Sequence, residues 1–161
     1  MNDSNSDIEQ LLDAFYDTFY KTEAVYERFA KLHGLTSHSL FVLHVLYKNP
    51  EGCTQRFICE QLHYPKQTVN TILVAFEKKD LITKETVAAD KRNKYILLTK
   101  KGQEYAKRIL SNMFQIEETA FSNMTAAERI GLVNGERAFL THLTNGLRRL
   151  EAETDLSTEE T

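Results

Sequence analysis

The chain has 161 residues, with 20 Lys and Arg against 23 Asp and Glu, and its formal charge of −3 excludes a uniformly polybasic nucleic-acid binder. Hydrophobic residues at 42% and charged residues at 27% make a globular mix, too apolar for disorder throughout, in a chain long enough to bury a core without staples. Two cysteines cannot make a disulfide framework, no apolar run approaches the ~18 residues of a membrane span, and the start MNDSNSDIEQ is polar and acidic, so a cytoplasmic protein with no membrane partner is expected.

Residues 8–32 carry Ile8, Leu11, Leu12, Phe15, Phe19, Val25 and Phe29 at helical steps, which predicts a long first helix ending near Gly34. Leu40, Val42, Leu43, Val45 and Leu46 are apolar almost all round and stop at Asn49-Pro50-Glu51-Gly52, as in a buried central helix. Thr54 offers an N-cap to a short helix with Ile58 and Leu62, and Pro65 suits the first position of the next. That next helix keeps Val69, Ile72, Leu73 and Phe76 on one stripe and leaves Lys66, Gln67, Thr68, Asn70 and Thr71 mostly outside it.

From Leu81 the residues turn β-branched, through Val87 and again from Lys94 to Thr99, which predicts a hairpin. Its tip, Ala88 to Asn93, is charged and lacks the Gly of a tight two-residue turn. Thr99 then caps a helix carrying Tyr105, Ile109, Met113 and Ile116. Thr125 and Glu128 make a capping box for a last helix whose Leu140, Leu143, Leu147 and Leu150 recur like a helix–helix seam. The acidic stretch from Glu151 is expected to fray.

Helix, short helix, turn, helix and charged hairpin is the order of a winged helix-turn-helix, in a fold that is mainly α with a small β-hairpin wing. Ile58, Cys59, Leu62, Val69 and Ile72 suit its core positions, whereas His63 stands where the turn usually has Gly and must tolerate a left-handed backbone. Charge follows the same division: residues 1–63 sum to −4, residues 64–101 to +5 and residues 102–161 to −4. The positive block coincides with the reading helix and wing, so a net-negative chain still presents a local basic face to phosphate.

On these residues the chain resembles the MarR family of bacterial transcriptional regulators. The resemblance rests on the first long helix, TQRFICEQLHYPKQTVN from Thr54 to Asn70, the helix exit Phe76-Glu77-Lys78-Lys79-Asp80-Leu81-Ile82, Asp90-Lys91-Arg92 in the wing, and Leu98-Thr99-Lys100-Lys101-Gly102. It implies a sequence-specific double-stranded DNA-binding regulator, most often a repressor, that acts on a palindromic operator as a homodimer. Residues 1–34 and 102–150 would form the dimerisation region, 35–101 the DNA-binding domain and 151–161 a tail, with Ile8, Leu11, Leu12, Leu140, Leu143, Leu147 and Leu150 at the dimer interface. Lys66, Gln67, Thr68, Asn70 and Thr71 would face the major groove, where Gln and Asn pair with adenine edges. Lys91, Arg92, Asn93 and Lys94 would reach the backbone or minor groove, Asp90 would orient the wing, and Thr54 and Gln55 would donate to phosphates. A small aromatic or anionic effector in a cleft lined by Tyr16, Phe41 and His44 is a further implication of the resemblance.

Other chemistries find little support. Cys59 reads as the small buried residue of the short helix and Cys53 as a turn residue without an activating neighbour, which argues against redox sensing. No His pair has four-residue helical spacing, and the nucleophile, phosphate-loop and zinc motifs are missing, so neither a metal, a cofactor nor an enzyme is expected. The rival reading is a winged-helix protein–protein docking module that does not bind DNA.

Overall fold

The computed structural model describes residues 3–86 and 94–159. In chain order they form α1 (Asp3–Leu32), α2 (Ser37–Lys48), β1 (Cys53–Thr54), α3 (Gln55–Leu62), α4 (Lys66–Lys78), β2 (Ile82–Thr86), β3 (Lys94–Leu98), α5 (Lys100–Asn123) and α6 (Ala126–Glu159). The chain divides within α5 into two compact units, Met1–Met113 and Phe114–Thr161.

In the first unit α2 is the centre. Its Leu40, Val42, Leu43, Val45 and Leu46 are all buried, which accounts for a helix with little polar face. Ile58 of α3, the stripe Val69, Ile72, Leu73 and Phe76 of α4, and Ile109 and Leu110 of α5 complete the core. Ala30 near the end of α1 is buried as well, whereas the earlier part of that helix is exposed, with Ile8 at 55% and Leu11 at 70%.

Each helix ends where its sequence lets it. Gly34 (φ +68) closes α1 with Gly34 N–H donating to Lys31 O at 3.1 Å and Leu35 N–H to Ala30 O at 2.9 Å. His63 adopts the left-handed conformation its position demands, φ 53 and ψ 33. Asp80 (φ 58) ends α4 in the same manner as Gly34, Leu81 N–H reaching back to Phe76 O at 2.9 Å. Pro65 is the N-cap of α4, one position before the first helical residue expected of it; its fixed φ of −57 suits both places, and Val69 N–H bonds its carbonyl.

The sheet has three strands in the order β1-β3-β2, both pairings antiparallel. The hairpin register sets Lys84 opposite Ile96 and Thr86 opposite Lys94. β1 is an addition to the sequence reading, and it corrects the placement of Cys53: the residue is not in a turn but pairs with Ile96 at the sheet edge and is buried. Two residues carry no periodicity of their own, so only the pairing with β3 makes them a strand. Cys59 is half-buried rather than enclosed.

The second unit contains the end of α5 and all of α6. Between them stands the capping box: Thr125 N–H donates to Glu128 Oε2 at 2.7 Å and Glu128 N–H to Thr125 Oγ1 at 3.2 Å. Those backbone and hydroxyl hydrogen bonds hold the Glu128 carboxyl below its ordinary pKa. α6 continues to Glu159, and no Gly or Pro interrupts residues 151–159. Leu140, Leu143, Leu147 and Leu150 are each at least 55% exposed. No helix among the described residues is long and apolar enough to cross a membrane.

Candidate nucleic-acid interface

The start of α3 is built by Thr54. Its extended backbone (φ −84, ψ 157) lets the side-chain oxygen accept from Phe57 N–H at 3.1 Å, leaving the hydroxyl hydrogen for an outside acceptor. Gln55 follows, and its Nε2 donates to Lys66 O at 3.1 Å, tying the first residue of α3 to the first residue of α4. Tyr64, in the turn between them, packs on His38 of α2 with ring centroids 4.5 Å apart. Burial, and then the charge of Glu23, raise its phenol pKa.

No side chain caps α4, so its first-turn amides point outward beside Lys66. Gln67, Asn70 and Thr71 are exposed at three- and four-residue spacing on one face, and Thr68 is half-buried. The Thr71 hydroxyl is turned back to donate to Gln67 O at 3.0 Å.

Opposite this face the root of the hairpin rises. Ile82 and Ile96 are buried, and strand alternation puts Lys84 and Lys94, each two residues further out, on the same side. A groove of about 670 Å³ results between α3, α4 and the hairpin. Five of the expected residues, Thr54, Gln55, Lys66, Asn70 and Lys94, line it together. Arg56, Cys59, Lys84 and Ile96 line it as well without having been expected there. For Lys84 the signal was present in the parity with Ile82; for Arg56 it was the adjacency to Gln55 in the first turn of a helix. Gln67, Thr68 and Thr71 lie on α4 outside the groove lining. Asp90, Lys91, Arg92 and Asn93 lie outside the described residues.

The hairpin is held to α4 by a latch between two stretches that stood apart in the sequence, Phe76–Ile82 and Leu98–Gly102. Thr99 Oγ1 donates to Asp80 O at 2.8 Å, Thr99 N–H to Leu81 O at 3.0 Å, and Lys101 Nζ to Lys79 O at 2.7 Å. Gly102 N–H closes the set on Thr99 Oγ1 at 2.9 Å. A Cβ at position 102 would stand 1.9 Å from Leu81 O, so only Gly allows α5 to approach that closely.

Cys53, behind the groove, has its thiol pushed up to about 11 by burial. Two of the residues expected to line an effector cleft, Tyr16 and Phe41, have separate ring partners in the single chain. Phe41 packs on Tyr26 at 5.4 Å, while Tyr16 stacks on Tyr20 at 6.0 Å, about 15 Å further up α1 at the rise of an α-helix. His44 is half-buried on α2, and the second cavity, about 520 Å³, is lined by Leu46, Tyr47, Pro50, Leu98 and the first turns of α5 instead.

Residues 33–93 match the model of the MarR family. Among solved structures, the chain is similar to Staphylococcus aureus MepR in its DNA-binding conformation, with 25% identity, 84% of this chain and 98% of that chain covered, and a TM-score of 0.66. It is also similar to the S. aureus MepR–DNA complex at 24% identity, 81% and 95% coverage and a TM-score of 0.69. The MarR family regulator NMB1585 of Neisseria meningitidis follows at 20% identity, 84% and 94% coverage and a TM-score of 0.69. No curated protein matches the chain.

Proposed function

We propose, from the match of residues 33–93 to the MarR family model, that the chain is a sequence-specific, double-stranded DNA-binding transcriptional regulator, a repressor that binds a palindromic operator as a homodimer. The observation that carries this reading is the groove in which Thr54, Gln55, Lys66, Asn70 and Lys94 converge. Phosphates meet Lys66, Lys94 and the first-turn donors of α3 and α4, while the exposed face of Gln67 and Asn70 meets base edges. MepR, by the description of its own structure, binds DNA, which supports the same use of the same fold.

The homodimer reading is supported by apolar side chains that the single chain leaves uncovered: Ile8, Leu11 and Leu12 on α1, and the four-leucine row of α6. The test is binding of the intact protein to a mixed-sequence duplex over a series of KCl concentrations. The reading requires binding at low salt that falls steeply as salt rises. Absent or salt-independent binding contradicts it and favours the docking module.

A further inference from the structure

Of the groove's four cations, Arg56, Lys66, Lys84 and Lys94, two are already met by carboxylates. Arg56 Nε lies 2.6 Å from Glu60 Oε1 within α3, a pair whose side chains are 85% and 61% exposed. Lys84 is different, because its partner comes from another element: its ammonium is ion-paired with Glu77 of α4, and its own side chain is only 25% exposed. Lys66 and Lys94 form no ion pair among the described residues.

Glu77 is also an unfavourable residue for its place. It sits in the last turn of α4, where the helix dipole favours cations, as with the neighbouring Lys78. Its carboxylate is 47% exposed, so the pair with Lys84 is wet and able to exchange with an arriving anion. Phosphate and carboxylate therefore compete for the same ammonium.

Resting on the reading that this groove receives the DNA backbone, we propose that Glu77 is an internal competitor for phosphate, holding Lys84 in the free protein and damping the sequence-independent part of DNA binding. A cation that is unpaired in the free protein and then neutralises a phosphate adds about 0.9 to the slope of log K against log salt. A cation drawn from a carboxylate adds less, since the released carboxylate attracts a counterion back from solution. The uncovered Glu77 charge, about 6 Å from a phosphate seated on Lys84, also repels it, a loss of about 3- to 10-fold at effective dielectric constants between about 40 and 80.

The experiment compares the full chain with Glu77→Gln, Lys84→Ala and the double variant on one mixed-sequence duplex over a KCl series, with thermal melts of each. Glu77→Gln is expected to bind about 3- to 10-fold more tightly at low salt, with a slope steeper by up to about 0.9. Adding Lys84→Ala should abolish that gain. If Glu77→Gln binds equally or more weakly at an unchanged slope, Glu77 is only a brace between α4 and the hairpin, and the proposal is wrong. Glu77→Ala repeats the charge removal and decides the case should Gln at this position lower the melting temperature. Failure of the wild-type protein to bind any duplex overturns the DNA reading and this inference with it, whereas wild-type binding with an unaltered Glu77→Gln slope overturns the inference alone.

Discussion

Gly102 shows how a single atom fixes the relation between α4 and the hairpin. Its missing side chain is what lets α5 start against the Leu81 carbonyl, and Thr99 needs that approach to bond Asp80 and Leu81 at once. Gly102→Ala must push one backbone off another and should cost about 3 kcal/mol, seen as a lower denaturant midpoint at an unchanged m-value. The two thiols provide a second residue-level contrast. Cys53 has its ionisation raised to about 11 by burial, whereas Cys59 is half-buried in the groove wall. At pH 8 a disulfide reagent should titrate Cys59 in the folded protein and reach Cys53 only on unfolding. The sign of the linkage follows: the Cys53 contribution to stability is whole below the unfolded thiol's pKa and is lost as pH rises toward about 11. His63 was legible as a strained position because the turn geometry demands φ > 0 whatever residue supplies it. The burial of Cys53 was not, since it depends on a strand pairing about forty residues away in sequence.

At the level of elements, helical periodicity made the helices of the winged segment readable, because each buries one stripe in a shared core. The polar face of α4 followed by subtraction. What periodicity could not supply was the partner of each motif. Phe76–Ile82 and Leu98–Gly102 stood out as separate patterns, and only the structure makes them two sides of one latch. Phe41 takes its ring partner, Tyr26, ten residues along α1 from Tyr16, a separation that helical spacing does not show, since it says which face a residue occupies but not how far along a neighbour crosses it. In and beside the groove, side chains of α4 and of the hairpin should divide by role. Asn70→Ala or Gln67→Ala is expected to narrow the gap between preferred and unrelated duplexes by about 1–3 kcal/mol. Lys94→Ala should instead weaken every duplex alike and lower the salt slope by about 1. Competition binding against both kinds of duplex separates the two outcomes.

For the whole molecule, the overall charge of −3 conceals a +5 segment between two acidic ones. On the proposed DNA-binding reading, the acidic segments would discourage contact with DNA except through the basic face, and net charge would select orientation rather than bar binding. The apolar rows of α1 and α6 are exposed in the single chain, and the proposed homodimer would cover them while doubling the α4 helices. Two such helices related by a twofold axis fit half-sites about 34–36 Å apart, and the operator then repeats the symmetry of the protein. Selection of bound duplexes from a random pool by the intact chain tests this most directly. The account predicts an inverted repeat whose half-sites are centred about 10–10.5 base pairs apart, or a multiple of that. Recovery of unrelated sequences with no repeat, or of single half-sites alone, would contradict it.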